Sequence, residues 1–141
     1  MKNKDIDKIR SFNRFYTNHI GLLNQHIYHS RYSLGEVRIL YELYHAKSLT
    51  AREITSLLSM DKGLLSRMLR AFEKKGLIKR LRSKEDGRAV KIFLTQSGKR
   101  EYEVLDKEAN DQIENILKSL NHSDHQRLIK SMATIKKILS K

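Results

Sequence analysis

The chain has 141 residues, which is enough for one domain with one substantial core. Its formal net charge is +13 and its pI is near 10.0, so we expect a polyanion as partner, nucleic acid first and an anionic membrane surface second. The absence of Cys excludes disulfides, thiol redox sensors and thiolate metal sites. The sequence has no apolar run near the roughly 18 residues of a spanning helix and no apolar signal region, so we expect a soluble cytoplasmic protein.

The first predicted helix, from about Ile6 to Tyr28, is unusually apolar. Its hydrophobic side chains recur three or four residues apart: Ile6, Ile9, Phe12, Tyr16, Ile20, Leu23 and Ile27. Phe15 and Leu22 widen this stripe beyond what one neighbouring element would cover. We therefore predict that the helix pairs two subunits, the alternative being burial within one subunit.

A second helix is predicted from the capping box of Ser33 and Glu36 to about His45. The helix runs through Val37, Leu40, Tyr41 and Leu43, with Tyr41 and Tyr44 expected at its two edges. The following Ser48-Leu49-Thr50 is predicted to form a short strand.

Two helices around a tight turn follow. Thr50 and Glu53 form another capping box, and the side chains predicted to face inward are Ile54, Leu57 and Leu58. The break spans Ser59 to Lys62, with Asp61 as the N-cap of the next helix. That helix buries a stripe of four side chains, Leu65, Met68, Leu69 and Phe72, and ends where Gly76 supplies a left-handed residue.

The face of this second helix that lies off the apolar stripe carries small, hydroxylic and cationic side chains. They are Lys62, Gly63, Ser66, Arg67 and Arg70. Such side chains suit a helix that enters a DNA major groove, where arginine and serine can hydrogen-bond base edges. We predict that this helix reads DNA sequence, with Arg67 contacting bases.

A basic hairpin follows the reading helix. Asp86-Gly87 is typical of a two-residue hairpin turn, and Val90, Ile92 and Leu94 are predicted to alternate inward on the returning strand. The wing contains five basic residues around this turn. Four of them are predicted to contact DNA, namely Arg82, Lys84, Arg88 and Lys91, and the fifth is Arg80. Residues 61–91 hold eleven Lys/Arg and four Asp/Glu, so their net charge is 11 − 4 = +7. Arg88, just past the turn, is predicted to enter the adjacent minor groove.

The C-terminal third is predicted to form two helices. Thr95 caps a long one, from Gln96 to about Leu120, and a capping box of Ser123 and Gln126 opens the last. The apolar stripe of the long helix comprises Tyr102, Leu105, Ala109, Ile113, Ile116 and Leu120. The last helix carries Leu128, Met132, Ile135 and Leu139, with Ile129 and Ile138 beside them. We predict that both ends of the chain serve to pair subunits.

These features together resemble the MarR family of bacterial transcription regulators. The motifs that carry the resemblance are Thr50-x-x-Glu53, Ser66-Arg67, Glu73-Lys-Lys-Gly76-Leu-Ile78, Asp86-Gly-Arg88 and Leu94-Thr95-x-x-Gly98. The implied fold is mainly α with a small β-hairpin wing, a winged helix-turn-helix between long N- and C-terminal dimerisation helices. The implied organisation is a single MarR-like domain over 1–141, with a DNA-binding lobe at 33–95 and dimerisation helices at 1–32 and 96–141.

The resemblance implies a homodimer on pseudo-palindromic operator DNA, most often as a repressor; in many members a small ligand, a metal or an oxidant releases the DNA. It also implies that Asp86 supports the wing's conformation by accepting hydrogen bonds. A cleft for an organic effector is expected at Tyr16, His19, Arg38 and Tyr41.

Other functions are less well supported by the sequence. The same winged helix could serve a non-specific architectural nucleic-acid binder or, against its local charge, a protein-interaction module. No phosphate-binding loop or catalytic arrangement is recognisable, so we predict no enzyme activity and no cofactor. The pairs His26/His29 and His122/His125 have metal-ligand spacing, but matching further ligands are not evident, so we predict no metal site.

Overall fold

The computed structural model describes residues 3–20, 31–85 and 87–141. The chain divides into two compact units, Met1–Asp106 and Lys107–Lys141. Six helices and three strands lie in the described residues. No helix among these residues is both long enough and apolar enough to cross a membrane. The predicted class, mainly α with a small β wing, is confirmed.

Helix α1, Asn3–His19, begins three residues before its predicted start, and the predicted continuation to Tyr28 lies outside the described residues. It buries no residue: Ile9 is 63% exposed and Phe15 is 65% exposed. The ring of Phe12 stacks on that of Tyr16, with 5.7 Å between their centroids. The apolar stripe of α1 is therefore left uncovered within a single chain.

Helix α2, Leu34–Ala46, begins at the predicted capping box. The Ser33 hydroxyl accepts a hydrogen bond from the Glu36 amide, and the Glu36 carboxylate accepts one from the Ser33 amide. Leu40 and Leu43 are buried as predicted, together with Ile39, which the periodicity had not singled out. Tyr41, predicted to lie at an edge of the helix, is 43% exposed.

The helix-turn-helix consists of α3, Ala51–Leu58, and α4, Lys62–Lys74. The Thr50 hydroxyl accepts from the Glu53 amide, which is one half of the predicted box. Ser59 closes α3 with a φ of 48°, in the left-handed region. Ile54 is fully buried, but Leu57 is 54% exposed, so its predicted burial is wrong. An eight-residue helix presents only a narrow face to the core, and Leu57 stands at the edge of that face.

The end of α4 is a Schellman motif. Gly76 has a φ of 73°, its amide donates to the Glu73 carbonyl, and the Leu77 amide donates to the Phe72 carbonyl. The prediction that Gly76 stops the helix in a left-handed conformation is confirmed. Leu77 and Ile78 then enter the core at the start of the wing.

The wing belongs to a three-stranded antiparallel sheet in the order β1-β3-β2. The strands are β1, Ser48–Thr50; β2, Ile78–Arg82; and β3, Val90–Leu94. In the middle of the sheet Leu49 pairs with Ile92, which pairs in turn with Arg80. The predicted strand 48–50 is thereby confirmed.

The hairpin differs from its prediction in two respects. Its last strand pair is Arg82 with Val90, so residues 83–89 form a longer connection than a two-residue turn. The Ser83 amide donates to the Ala89 carbonyl and closes this loop. Val90, predicted to face inward, is 38% exposed because it lies past the end of the core. Asp86 itself lies outside the described residues.

Helix α5, Gln96–Lys118, starts at a dense junction. The Thr95 hydroxyl accepts from the Gly98 amide, as predicted for an N-cap, and donates to the Gly76 carbonyl at 2.6 Å. The Thr95 amide donates to the Leu77 carbonyl. Of the predicted stripe, Tyr102 and Leu105 are buried, whereas Ile113 is 46% exposed.

Helix α6, His122–Leu139, is capped by Asn121, so the predicted capping box at Ser123 and Gln126 is wrong. The Asn121 side chain accepts from the Asp124 amide and donates to the Asp124 carboxylate. Asn is as good an N-cap as Ser, and here its reciprocal bonding fixes the start two residues earlier. No residue of α6 is buried.

Replacing Gly98 with Ala should destabilise the protein by about 3 kcal/mol, because the new Cβ would lie 2.1 Å from the Leu77 carbonyl oxygen. Urea unfolding measures this change in the free energy of unfolding. Gly87→Ala is the matched control, since its Cβ would meet no atom within 4 Å. Equal stability of the two variants would show that the junction can separate without cost.

Candidate nucleic-acid interface

Helix α4 has two faces of opposite character. Leu65, Leu69 and Phe72 are at most 1% exposed and hold the helix against the core. All five residues of this helix that are predicted to contact DNA are exposed: Lys62, Gly63, Ser66, Arg67 and Arg70. Within the described residues none of Ser66, Arg67 and Arg70 has a hydrogen-bond or ion-pair partner beyond the helix backbone. The face thus presents guanidinium and hydroxyl donors to solvent.

The start of α4 is fixed by its N-cap. An Asp61 carboxylate oxygen accepts from the Leu64 amide at 3.0 Å, as predicted. Its negative charge also lies at the positive end of the helix dipole. Gly35 of α2 lies against this region, because a Cβ there would be 3.4 Å from the terminal methyls of both Met60 and Met68. Cap and packing together fix where the exposed face points.

The predicted wing contacts fall into three environments. Lys84 and Arg88 are exposed on the loop 83–89. Arg82 ends β2, and its Nη1 donates to the Gly87 carbonyl at 2.9 Å. Lys91 is half-buried on β3, the central strand, in register with Thr50 on one side and Leu81 on the other. Lys91 therefore stands on the sheet rather than at the hairpin tip.

An ion pair joins the wing to the reading helix and was not predicted. Arg80 Nε donates to Glu73 Oε2 at 2.8 Å. Residue periodicity contains a signal for it, because Ile78, Arg80 and Arg82 share one face of β2 and only Ile78 is buried. An arginine at a core-facing position packs its aliphatic stem on the core and extends its guanidinium to the solvent-exposed edge, where Arg80 meets the Glu73 carboxylate.

The predicted effector residues form two groups. Arg38 donates to Glu42 Oε1 through Nε at 3.0 Å and Nη2 at 2.9 Å, and its guanidinium carbon lies 5.7 Å from the centre of the Tyr41 ring. On α1, Tyr16 stacks on Phe12 and His19 stacks on Phe15. Among the described residues no contact joins Tyr16 or His19 to Arg38 or Tyr41. The shared cleft stays a prediction.

Tyr41 belongs to an aromatic cluster that sequence reasoning missed. The rings of Tyr41 and Tyr44 each lie near those of His45 and Tyr102, which also lie near each other, with centroid distances between 4.2 and 6.2 Å. A hydrogen bond to Glu103 raises the pKa of Tyr44. Burial, and then the Asp106 carboxylate, raise the pKa of Tyr102. Both hydroxyls therefore stay protonated at neutral pH and act as donors. Tyr44 donates to Glu103 and so joins α2 to α5, whereas Tyr102 donates to Asp106 within α5.

A shallow groove of about 300 Å³ lies between α2 and α3. It is lined by Leu34, Gly35, Arg38, Leu57, Leu58 and Met60. The exposed Leu57 forms part of its wall. No group of three or more potential metal ligands occurs in residues 3–20, 31–85 and 87–141.

A family model described as MarR family matches residues 32–90. The chain is 26% identical over 104 residues to the HTH-type transcriptional regulator YdgJ of Bacillus subtilis, covering 74% of this chain and 63% of that protein. It is 43% identical over 56 residues to the organic hydroperoxide resistance transcriptional regulator of the same organism, covering 40% of this chain and 38% of that protein. The chain thus spans less than two thirds of either relative.

Solved structures show the same fold over nearly the whole chain. A MarR mutant of E. coli in complex with operator DNA is similar with a TM-score of 0.74 and 26% identity, covering 97% of this chain and 96% of that one. Streptococcus pneumoniae FabT in complex with DNA has a TM-score of 0.79 at 20% identity, covering 99% of this chain and 98% of that one. The predicted winged helix-turn-helix is confirmed.

Replacing Asp61 with Ala should lower the free energy of unfolding by about 1 kcal/mol, because the Leu64 amide loses its acceptor. Asp61→Asn keeps an acceptor and should cost much less. Thermal and urea unfolding of both variants measure the difference. If Asn and Ala are equally destabilising, the carboxylate acts through its charge at the helix terminus rather than through the hydrogen bond.

Proposed function

We propose, from the premise that the segment 32–90 belongs to the MarR family, that this chain is a sequence-specific DNA-binding transcription regulator. It acts in the cytoplasm, as a homodimer on a pseudo-palindromic operator, most simply as a repressor. The observation that carries the proposal is the exposed face of α4, a helix held rigidly by its buried face while Ser66, Arg67 and Arg70 project outward.

The chemistry of that face suits base reading. A helix fits the major groove of B-DNA, and arginine donates two parallel hydrogen bonds to a guanine edge. Arg67, near the middle of the exposed face, makes the base contact, while Lys62 and Arg70 hold phosphates. The wing follows the backbone beyond the helix, and Arg88 on its loop enters the adjacent minor groove.

Selective reading is favoured over a purely electrostatic role. The +7 charge of residues 61–91 would give any winged helix affinity for DNA phosphates. A non-specific binder, however, has no need for a rigid helix whose exposed face mixes glycine, serine and arginine. The E. coli relative solved with operator DNA, which shares the fold over 97% of this chain, supports the same conclusion.

Dimerisation is proposed from uncovered apolar surface at both ends of the chain. On α1, Ile9 is 63% exposed, and on α6 five apolar side chains exceed 40% exposure: Ile129, Met132, Ile135, Ile138 and Leu139. Contiguous apolar surface of this kind in a soluble protein marks an interface. A two-fold dimer presents two copies of α4 to two half-sites, which explains a pseudo-palindromic operator.

Regulation by an organic effector is the final component of the proposal. Arg38 and Tyr41 lie side by side on α2, where a cation and an aromatic face could hold a small anionic or aromatic molecule. Tyr16 and His19 belong to α1, and residues 21–30, which follow it, lie outside the described residues. An effector that binds the DNA-free form more tightly than the DNA-bound form would release the operator.

Arg67→Ala tests base reading. The operator is first selected from random duplexes with the parent protein. Losing Arg67 should then cost about 1–3 kcal/mol in operator binding and relax the preference at one position in each half-site. Competition against single-base variants of the operator, at fixed salt concentration, measures both effects. Lys62→Ala is the control, since loss of a phosphate contact weakens all sequences alike.

If Arg67→Ala weakens every duplex by the same factor, Arg67 holds phosphate and the assignment fails. If the parent protein itself selects no sequence, it is the non-specific alternative that holds, because a specific regulator should prefer its site by about 10³ or more over bulk DNA.

Ile135→Glu tests the dimer. A carboxylate placed in the apolar surface of α6 would be buried and unpaired in the interface, at a cost of about 3 kcal/mol or more. Sedimentation equilibrium should show a weakened dimer, and operator binding should fall with it. Lys130→Gln changes the charge by the same amount on the opposite face of α6 and should leave the dimer intact. An unaltered dimer in Ile135→Glu would place the interface elsewhere.

A further inference from the structure

The hairpin that carries Arg88 is paired with a third strand over only part of its length. Strand β1 pairs with β3 over Lys91 to Phe93 only, so the sheet has three strands there. Beyond that point Arg82 pairs with Val90 alone, and the loop 83–89 follows. A two-stranded ribbon is marginally stable and twists readily. The part of the wing that would reach DNA therefore needs bracing from side chains.

Two arginines on one face of β2 supply such braces. Arg80 stands in the row of Leu49 and Ile92, which are 7% and 1% exposed, in the three-stranded part of the sheet. Its guanidinium reaches Glu73 in the last turn of α4 at 2.8 Å. This contact ties the wing to the helix whose exposed face carries Arg67.

The second brace lies in the two-stranded part. Arg82 Nη1 donates to the Gly87 carbonyl at 2.9 Å, so the end of β2 holds the far side of the loop. Gly87 is followed directly by Arg88. Contacts thus run in series from α4 through Glu73 and Arg80 to β2, and from Arg82 to the residue beside Arg88.

We propose that Glu73, Arg80 and Arg82 are positioning residues that fix the wing at a set angle to α4, and that this angle sets which operators fit. The inference rests on the proposed function. A dimer that inserts α4 in the major groove and Arg88 in the minor groove needs a fixed distance between the two. For Arg82 the proposal replaces the earlier prediction of a DNA contact, because its guanidinium is directed to the wing's own loop.

The Arg80–Glu73 ion pair is better suited to positioning the wing than to raising the free energy of unfolding. The side chains of Arg80 and Glu73 are 34% and 49% exposed, and ion pairs this accessible to water add little to the free energy of unfolding. Their effect on geometry is larger, because a small rotation at the base of the hairpin moves its tip through several ångströms. DNA affinity is therefore the sensitive readout, and overall stability is not.

The sign of the effect of Glu73→Gln separates positioning from charge. Removal of a carboxylate next to a DNA-binding surface should strengthen purely electrostatic binding. We expect instead that operator affinity falls about 3- to 10-fold while affinity for unrelated duplex stays equal or rises. The exchanged pair Glu73→Arg with Arg80→Glu should restore most of the operator affinity. Asp111→Asn, which breaks the exposed Lys107–Asp111 pair with the same change of charge, is the control.

Arg82→Gln is measured against Lys84→Gln, an equal loss of charge on the same hairpin. If Arg82 positions the loop, its loss lowers operator affinity and leaves the salt dependence of binding unchanged. Lys84→Gln, as a phosphate contact, should lower the salt slope by close to two per dimer, about 0.9 per contact. A lowered slope in Arg82→Gln would overturn its role as a brace.

A measurement without DNA keeps the inference independent of the proposed function. The chain has no Cys, so spin labels at Arg70→Cys and Gly87→Cys report the distance from α4 to the loop in free protein, diluted with unlabelled chain to isolate pairs within one subunit. Glu73→Gln should broaden or shift that distance distribution. An unchanged distribution overturns the inference even if operator binding is confirmed, whereas failure of the parent protein to select an operator overturns the proposed function alone.

Discussion

The winged helix depends on one junction, where three elements meet at the Thr95 side chain. Its hydroxyl donates to the Gly76 carbonyl at the end of α4 and accepts from the Gly98 amide at the start of α5. Gly98 can lie against the Leu77 carbonyl because it has no Cβ. The end of the reading helix, the return of the wing and the beginning of the long helix are thus joined by the motif Leu94-Thr95-x-x-Gly98. The motif's spacing follows from this geometry, since an N-cap bonds the amide three residues later.

This junction fixes the end of α4 and the start of the wing, the two elements that carry the predicted DNA contacts. The Schellman motif at Gly76 directs the chain into β2, and the buried side chains Leu77 and Ile78 pin the base of the wing to the core. Arg80 and Glu73 add a charged contact on the rim. Among the described residues the exposed side chains of Ser66, Arg67 and Arg70 on α4 have no such partner, whereas two arginines of the wing, Arg80 and Arg82, have partners within the protein. Under the proposed function, the count of basic residues therefore exceeds the number that contact DNA.

The features predicted correctly from the sequence are local. Ser33 with Glu36, Asp61 and Gly76 act through hydrogen bonds that span a few residues, so the sequence spacing determines them. Errors occurred where tertiary position decides. Leu57 and Val90 recur at the spacing of the buried apolar residues, but they lie past the edge of the core and are exposed. The N-cap of α6 is Asn121 rather than Ser123, because the Asn121 side chain accepts from the Asp124 amide. The hairpin loop is longer than Asp86-Gly87 predicts because pairing stops where β1 no longer supports β3. The Arg80–Glu73 contact depends on the relative placement of β2 and α4. The alternation along β2 indicates which face Arg80 occupies, but it does not identify Glu73 as the partner.

Stability and specificity are assigned to different parts of this chain. The core of the first unit buries Ile39, Leu40, Leu65, Leu69, Phe72 and Ile92 almost completely. No residue of α1 or α6 is buried, so the apolar surfaces of these two helices are available for the proposed pairing of subunits. In a two-fold dimer each lobe reads one half-site, and the spacing between half-sites is then a property of the pairing surface rather than of α4. Changes on α6 should therefore alter which half-site spacings are accepted, while changes on α4 alter which bases are accepted within each half-site.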